Sequence, residues 1–298
     1  MDKAYSISII IPTYNRAHLI EKTILSILNQ TSSNFEVIVV DDGSTDNTEE
    51  VVSKFLSETF RYFKIPNSER GAARNHGTSH AIGDYVNWFD SDDEMLPNHV
   101  EMIQKMIDMH NAPEVITLTY SFKNANTGKI IPKVFHNRNS KRDFLITGNY
   151  LACNPVIVRR DIALKNPFIE DRDLSASEDY ELWLRLFAQF PFHHSDEITS
   201  YLVLHDERSV VTMTNPDKLE KRFLSFLNYT WNNDQLRKKL GNNISYFMMR
   251  NYLILAVDLA YNGYKRKAFN YLVIAIKNNP KAITQKVFWA TLKHICIK

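Results

Sequence analysis

A chain of 298 residues with 44% hydrophobic and 23% charged residues can bury one large core, with or without a smaller appendage, and falls in the ordinary globular range. Its formal net charge of +2 is too small to point to nucleic acid, and two distant cysteines, Cys153 and Cys296, suggest no disulfide framework and fit a reducing, cytoplasmic compartment. No window reaches the ~20 apolar residues a bilayer span needs, and the glycines form neither a G-x-G-x-x-G nor a Walker-type loop, which argues against dinucleotide oxidoreductases and P-loop kinases.

The first apolar run, Ile7–Ile11, is too short for a signal sequence and reads as a buried strand ended by Pro12-Thr13-Tyr14-Asn15-Arg16. Leu19, Ile20, Thr23, Ile24, Ile27 and Leu28 then recur at helical spacing to about Gln30. Glu36–Val40 is a second strand running into Asp41-Asp42-Gly43-Ser44-Thr45-Asp46, which supplies a turn and N-cap candidates for a helix through Val51, Val52 and Phe55. A short strand is predicted over Arg61–Lys64, a helix over Gly71–Ile82 and a strand over Tyr85–Phe89. This alternation predicts a mainly parallel sheet covered by helices, with ligands outside the carboxyl ends of its strands. Three of those strands end in polar or acidic loops, so the periodicity predicts that Thr13-Tyr14-Asn15, Asp41-Asp42 and Asp90-Ser91-Asp92 share one rim.

The third loop is the most charged. Asp90, Asp92 and Asp93 fall within four residues and repel one another unless a cation sits among them, and hard divalent ions suit that role. The competing reading is a helix N-cap, because a helical pattern (Val100, Ile103, Met106, Ile107) follows Pro97.

Farther along, Val115–Tyr120 reads as a strand, Lys129–Phe135 as a hairpin arm, His136–Asp143 as a basic loop over the site and Val156–Val158 as a strand. Glu178-Asp179 opens a helix containing Leu182, Trp183, Leu186 and Phe187, and Glu197–Leu204 is a strand running into His205. Beyond Asn215 the pattern is helical over Leu219–Leu240, Ile244–Asn262, Lys265–Lys277 and Ala282–Ile295. The division expected is one α/β domain over residues 1–212, its nucleotide-binding part about 1–97 and its acceptor-side part about 98–212, followed by a helical region over 213–298. No acidic residue follows Asp258, whereas lysines interleave with Val287, Phe288, Trp289, Leu292 and Ile295 on an amphipathic helix. That helix either docks on the body or lies on an anionic membrane surface.

Taken in order, Ile9-Ile10-Ile11-Pro12-Thr13-Tyr14-Asn15-Arg16, Val39-Val40-Asp41-Asp42-Gly43-Ser44-Thr45-Asp46, Gly71-Ala72-Ala73-Arg74-Asn75-His76-Gly77, Phe89-Asp90-Ser91-Asp92-Asp93 and Glu178-Asp179-Tyr180-Glu181-Leu182-Trp183 resemble the successive motifs of the family-2 glycosyltransferases with the GT-A fold. The resemblance covers residues 5–210. It implies a nucleoside-diphosphate-sugar donor, most readily UDP-linked, a divalent metal (Mn²⁺ or Mg²⁺) with no organic cofactor, and a glycan or lipid-linked acceptor in surface polysaccharide synthesis. The setting it suggests is the cytoplasm, at the inner face of the cell membrane.

It also implies roles. Pro12, Thr13, Tyr14 and Asn15 would hold the base and ribose, with Tyr14 either stacking or lying in the core. Asp42 would accept from the base or ribose while Asp41 serves the turn, an assignment the sequence leaves open, and Asp46 would cap a helix. Arg70 and Arg74 would meet the diphosphate or base, unless they lie on a solvated helix face. Asp90, Ser91 and Asp92 would face the metal and diphosphate, with Asp93 starting the next helix. His205 would be a further metal ligand or a plain surface histidine. Asp179, with Glu178 second, would be the base of an inverting transfer, unless both are N-terminal helix charges. Trp183 would stack on a sugar or fill the core. A nucleotidyltransferase is the alternative reading, although it would normally carry a glycine-rich basic loop after the first strand. A nucleotide-sugar- or glycan-binding protein without turnover is the third.

Overall fold

The computed structural model of the chain describes residues 5–132, 144–206 and 215–297. By its internal contacts the chain forms two compact units, one of Met1–Phe135, Leu151–Leu182 and Gln189–Asp206, the other of His136–Tyr150, Trp183–Ala188 and Glu207–Lys298.

The first unit is built on a mixed sheet whose amino-terminal half is parallel. Strands β1 (Ile7–Thr13), β2 (Phe35–Asp41), β3 (Phe60–Lys64) and β4 (Tyr85–Trp88) alternate with helices α1 (Ala17–Leu28), α2 (Thr48–Ser53) and α3 (Glu69–His80). After β4 come β5 (Glu94–Met95), α4 (His99–Met109), β6 (Val115–Asn124) and β7 (Ile130–Ile131). Past α5 (Phe144–Thr147), which belongs to the second unit, lie β8 (Val156–Arg159), α6 (Arg160–Lys165), α7 (Glu178–Gln189), whose Trp183–Ala188 stretch also counts with the second unit, and β9 (Phe192–Leu204). The strand order is β3-β2-β1-β4-β8-β6-β9-β5, with β7 on β6.

Strand β1 is central and buried on both faces, which is why it reads as an unbroken apolar run. Ile7, Ile9 and Ile11 pack with Ile20, Ile24 and Ile27 of α1 and with Val100, Ile103 and Ile107 of α4. Ile10 points to the other face, toward α3. There a Cβ on Gly77 would come within 2.4 Å of Ile10 Cγ2, so the helix sits closer to the strand than any side chain at 77 allows. Pro12 lies within β1 beyond Ile10, the last residue of β1 paired with β4, where only β2 still flanks it.

Polar residues hid several elements. Strand β9 begins at Phe192, five residues before its expected start, because His193, His194 and Asp196 break the apolar alternation while the backbone still pairs with β6 across an irregular register. The predicted arm at 129–135 is seen as Ile130–Ile131 on β6; its remainder from 133, like the basic segment His136–Asp143, lies outside the described residues.

In the second unit the single helix expected over 219–240 is two, α8 (Pro216–Trp231) and α9 (Asp234–Leu240). Asn215 accepts from the Asp217 and Lys218 amides and Asn233 from that of Leu236, so each helix starts on its own asparagine cap. Then follow α10 (Ile244–Tyr261), α11 (Lys265–Asn278) and α12 (Lys286–Ile297), the last starting four residues later than expected because Pro280–Thr284 is a 3-10 turn. Phe223, Phe226 and Phe247 form its aromatic core.

Candidate active site

Parallel register carries the first loops to one rim. Thr13 pairs with Asp41, and the Phe89 amide donates to the Ile10 carbonyl, so β1, β2 and β4 end on the same side. The first two loops are tied directly. The Asn15 amide donates to Ser44 Oγ at 2.8 Å, and Asn15 Oδ1 accepts from the Thr45 amide at 2.8 Å. Asn15 holds a left-handed backbone (φ 51) to do this, and Glu69 and Ala176 at the starts of α3 and α7 do the same (φ 74 and 70).

Asp41 is fully buried, with Oδ1 accepting from the Ser44 amide and Oδ2 from the Tyr62 hydroxyl; it builds the turn. Asp42 Oδ1 accepts from the Ser68 amide at 2.6 Å and Oδ2 from Asn67, which fixes the approach to α3; burial leaves its carboxyl raised despite those donors. Asp46 accepts from the Thr48 amide and hydroxyl at the start of α2. Tyr14 is 47% exposed, whereas Thr13 is buried and its Oγ1 has no hydrogen-bond partner among the described residues. Pro12 is enclosed in its strand.

Arg74 is the junction of the site. Its guanidinium, 2% exposed, donates from Nη2 to Asp90 Oδ1 at 2.9 Å and from Nη1 to Glu178 Oε1 at 2.8 Å, and lies over the Phe168 ring. Arg70, one turn earlier, sits 3.8 Å from the same Glu178 oxygen and is partly exposed. A motif on α3 therefore joins a motif after β4 to one at the start of α7.

Glu178 and Asp179 are driven apart electrostatically. Burial works to raise the Glu178 carboxyl, but Arg70 and Arg74 outweigh it and hold it below the usual carboxylate range. Asp179 is raised, first by burial and then by the charge of Glu178. It accepts from the Tyr180 amide and keeps partial exposure. The result is one carboxyl held toward its charged form beside one held toward its protonated form.

Asp90, Asp92 and Asp93 bring carboxylate oxygens within 4.8 Å of one another. They do not share one task. Asp93 is fully buried, with Oδ1 accepting from the Val203 amide and Oδ2 from Asn154 Nδ2. It does not start a helix: α4 begins only at His99, and Asp93 instead ties the loop to β9 and to the turn before β8. His205, just after β9, meets Asp92 Oδ2 through Nε2 at 2.9 Å. Asp90, Asp92 and His205 thus offer two carboxylates and an imidazole, a donor set that fits a divalent ion such as Mn²⁺ or Mg²⁺. Ser91 is buried between the two carboxylates.

From the sequence, Asn154 is a turn residue before Pro155, on the loop around Asn149–Asn154 expected to shape sugar selectivity. In the fold it is fully buried, with Oδ1 accepting from the Asp90 amide while Nδ2 holds Asp93. Beneath it, Asn87 donates to the Asn154 and Val156 carbonyls and meets His99, which meets Thr199. Trp183 is fully buried and belongs to the core, not to a sugar platform.

Comparison with known proteins bears on the family and the fold. The family model described as Glycosyl transferase family 2 matches residues 8–163. An uncharacterized glycosyltransferase of Rickettsia felis is 30% identical over 235 residues, covering 78% of this chain and 38% of the relative. A UDP-Glc:alpha-D-GlcNAc-diphosphoundecaprenol beta-1,3-glucosyltransferase of Escherichia coli is 32% identical over 184 residues, 61% of this chain and 70% of that one. The crystal structure of S. aureus TarS 1-349 in complex with UDP-GlcNAc has the same fold, with a TM-score of 0.71 at 21% identity over 97% of this chain and 88% of that one. The chain spans only 33–38% of the length of three rickettsial relatives it matches.

Proposed function

The chain belongs to glycosyl transferase family 2, and we propose that it is an inverting, metal-dependent enzyme that moves a sugar from a nucleoside-diphosphate sugar, UDP-linked, to a hydroxyl of a glycan or lipid-linked acceptor in surface polysaccharide synthesis. The observation that carries this reading is the Arg74 bridge, which sets Asp90 of the acidic rim and Glu178, the neighbour of a proton-accepting Asp179, on one buried guanidinium. The acidic rim after β4 is thereby linked to the carboxyl pair assigned the proton transfer.

In this mechanism Tyr14 stacks on the base, with Thr13 Oγ1 and the Asn15 loop supplying polar contacts to the nucleoside. Asp42 reaches it through the loop it braces, and Arg70, partly exposed, faces the diphosphate. Asp90, Asp92 and His205 would hold a divalent cation, which when bound supplies Lewis-acid neutralisation of the leaving diphosphate. Asp179 takes the proton of the acceptor hydroxyl as its oxygen forms a bond to the anomeric carbon. The bond from that carbon to the diphosphate oxygen breaks on the opposite face, the electron pair leaves with the nucleotide, and the configuration inverts. Glu178 stays charged and, with Arg74, keeps Asp179 in place.

The test is nucleotide release from a panel of UDP-, GDP- and dTDP-sugars in Mn²⁺ or Mg²⁺ with an undecaprenyl-diphosphate sugar as acceptor. A UDP-sugar should support turnover. Asp92→Asn should weaken metal-dependent donor binding, and Asp179→Asn should bind donor yet lose transfer by 10²-fold or more. Parental transfer by Asp179→Asn, or parental donor and metal binding by Asp92→Asn, would overturn the respective assignment.

A further inference from the structure

Helix α12 (Lys286–Ile297) buries Phe288 and Thr291 and turns Lys286, Trp289, Lys293 and Cys296 outward. Their spacing of three, four and three residues puts them on one stripe. The 3-10 turn before it extends the stripe with exposed Lys281 and Ile283. Trp289 is 60% exposed, and its Nε1 donates to the Ile283 carbonyl at 2.7 Å. The indole's polar atom is therefore satisfied within the protein, and what it shows to solvent is hydrocarbon.

The charge around it is one-sided. No acidic residue follows Asp258 in the sequence. Lys267, by contrast, is paired with Asp217 and Glu220, so basic residues here do find carboxylates where one is near. Among the described residues, Lys281, Lys286 and Lys293 make no ion pair. An exposed indole and an exposed isoleucine framed by three uncompensated ammonium groups complement a surface that is apolar a few ångströms down and anionic on top. The long lysine stems can lie along the apolar layer while their heads stay with phosphates.

We propose that this stripe of α12 is a docking surface for an anionic phospholipid bilayer, with Trp289 and Ile283 entering the interface and Lys281, Lys286 and Lys293 meeting the headgroup phosphates. No helix among the described residues is long and apolar enough to cross a membrane, so the contact is peripheral. It stands independently of the catalytic reading.

Cosedimentation of the purified full chain with vesicles tests it. Binding is expected to vesicles of 30% phosphatidylglycerol in phosphatidylcholine, not to phosphatidylcholine alone, and to weaken as salt rises. The triple variant Lys281→Glu/Lys286→Glu/Lys293→Glu should lose about tenfold or more of this binding. Trp289→Ser should lose it at low salt as well, where charge alone would persist. All these positions are exposed, and unchanged melting temperature and donor binding would show that both variants remain folded. The proposal is overturned if the parent stays in the supernatant with anionic vesicles, or if either variant binds them like the parent. Equal retention of the Trp289→Ser variant and the parent on polyanionic heparin, with no vesicle binding by the parent, would assign the stripe to a polyanion instead.

Discussion

At Glu178 and Asp179 two neighbouring carboxyls are shifted in opposite directions by the same buried surroundings. Burial raises both, but Glu178 touches Arg74 and lies near Arg70, whereas Asp179 faces mainly the charge of Glu178. Asp179 is pushed up to about 7. As the base it must be ionised, so kcat/KM is expected to fall as pH drops below about 7, with an acid limb belonging to the pair. Glu178→Gln removes the negative neighbour and leaves both guanidiniums, so ionisation of Asp179 becomes easier. Its acid limb should move to lower pH by about one pH unit. A limb that stays in place or moves upward in pH–rate profiles of the variant would show that Glu178 does not set the base. Arg74 explains why the pair tolerates burial at all: a charged carboxylate in the interior is costly unless paired, and here one guanidinium serves Glu178 and Asp90 together.

Among the elements, α3 bears most directly on chemistry, because it carries Arg70 and Arg74 and is seated by a missing side chain. A methyl at position 77 would stand 2.4 Å from Ile10 Cγ2 and 3.2 Å from Val40 Cγ2. Gly77→Ala should therefore push α3 off β1 and β2, costing about 1–3 kcal/mol of stability in denaturant titrations. It should also lower kcat/KM, as Arg74 retreats from Asp90 and Glu178. Parental stability would mean that α3 shifts freely. The strands under this helix were legible because β-branched or aromatic-rich runs stop abruptly at polar loops: Ile7–Ile11 before Pro12, Glu36–Val40 before Asp41, Tyr85–Phe89 before Asp90. Their parallel order follows from the intervening helices. Asn154 was not legible, since its place beside Asp90 depends on β8 entering antiparallel between β4 and β6, some sixty residues downstream. Asp93 misled for the same reason. An acidic residue shortly before a helix looks like a cap, and nothing local announces a partner at Val203. Strand β9 escaped detection in part because its first half is polar and exposed.

For the molecule as a whole, the burial that shapes the rim also sets its tolerance of acid. His99 is fully buried at the start of α4, between Asn87 and Thr199, and burial holds it down at about 4 against an ordinary value of 6.5. Above pH 6.5 the ring is neutral in both the folded and unfolded chain and stability does not depend on it. As pH falls below 6.5 the unfolded chain binds a proton that the folded chain refuses, so stability is lost progressively until about pH 4, below which both states are protonated. The gap of about 2.5 pH units corresponds to about 3 kcal/mol, a large share of the stability of an ordinary domain. His99→Gln keeps a hydrogen-bonding side chain but cannot take up that proton. Urea denaturation from pH 7 to pH 4 should show the parent losing about 3 kcal/mol more than the variant. The carboxylates contribute equally to both curves and cancel in the difference, so parallel curves would mean that His99 already binds its proton in the folded state.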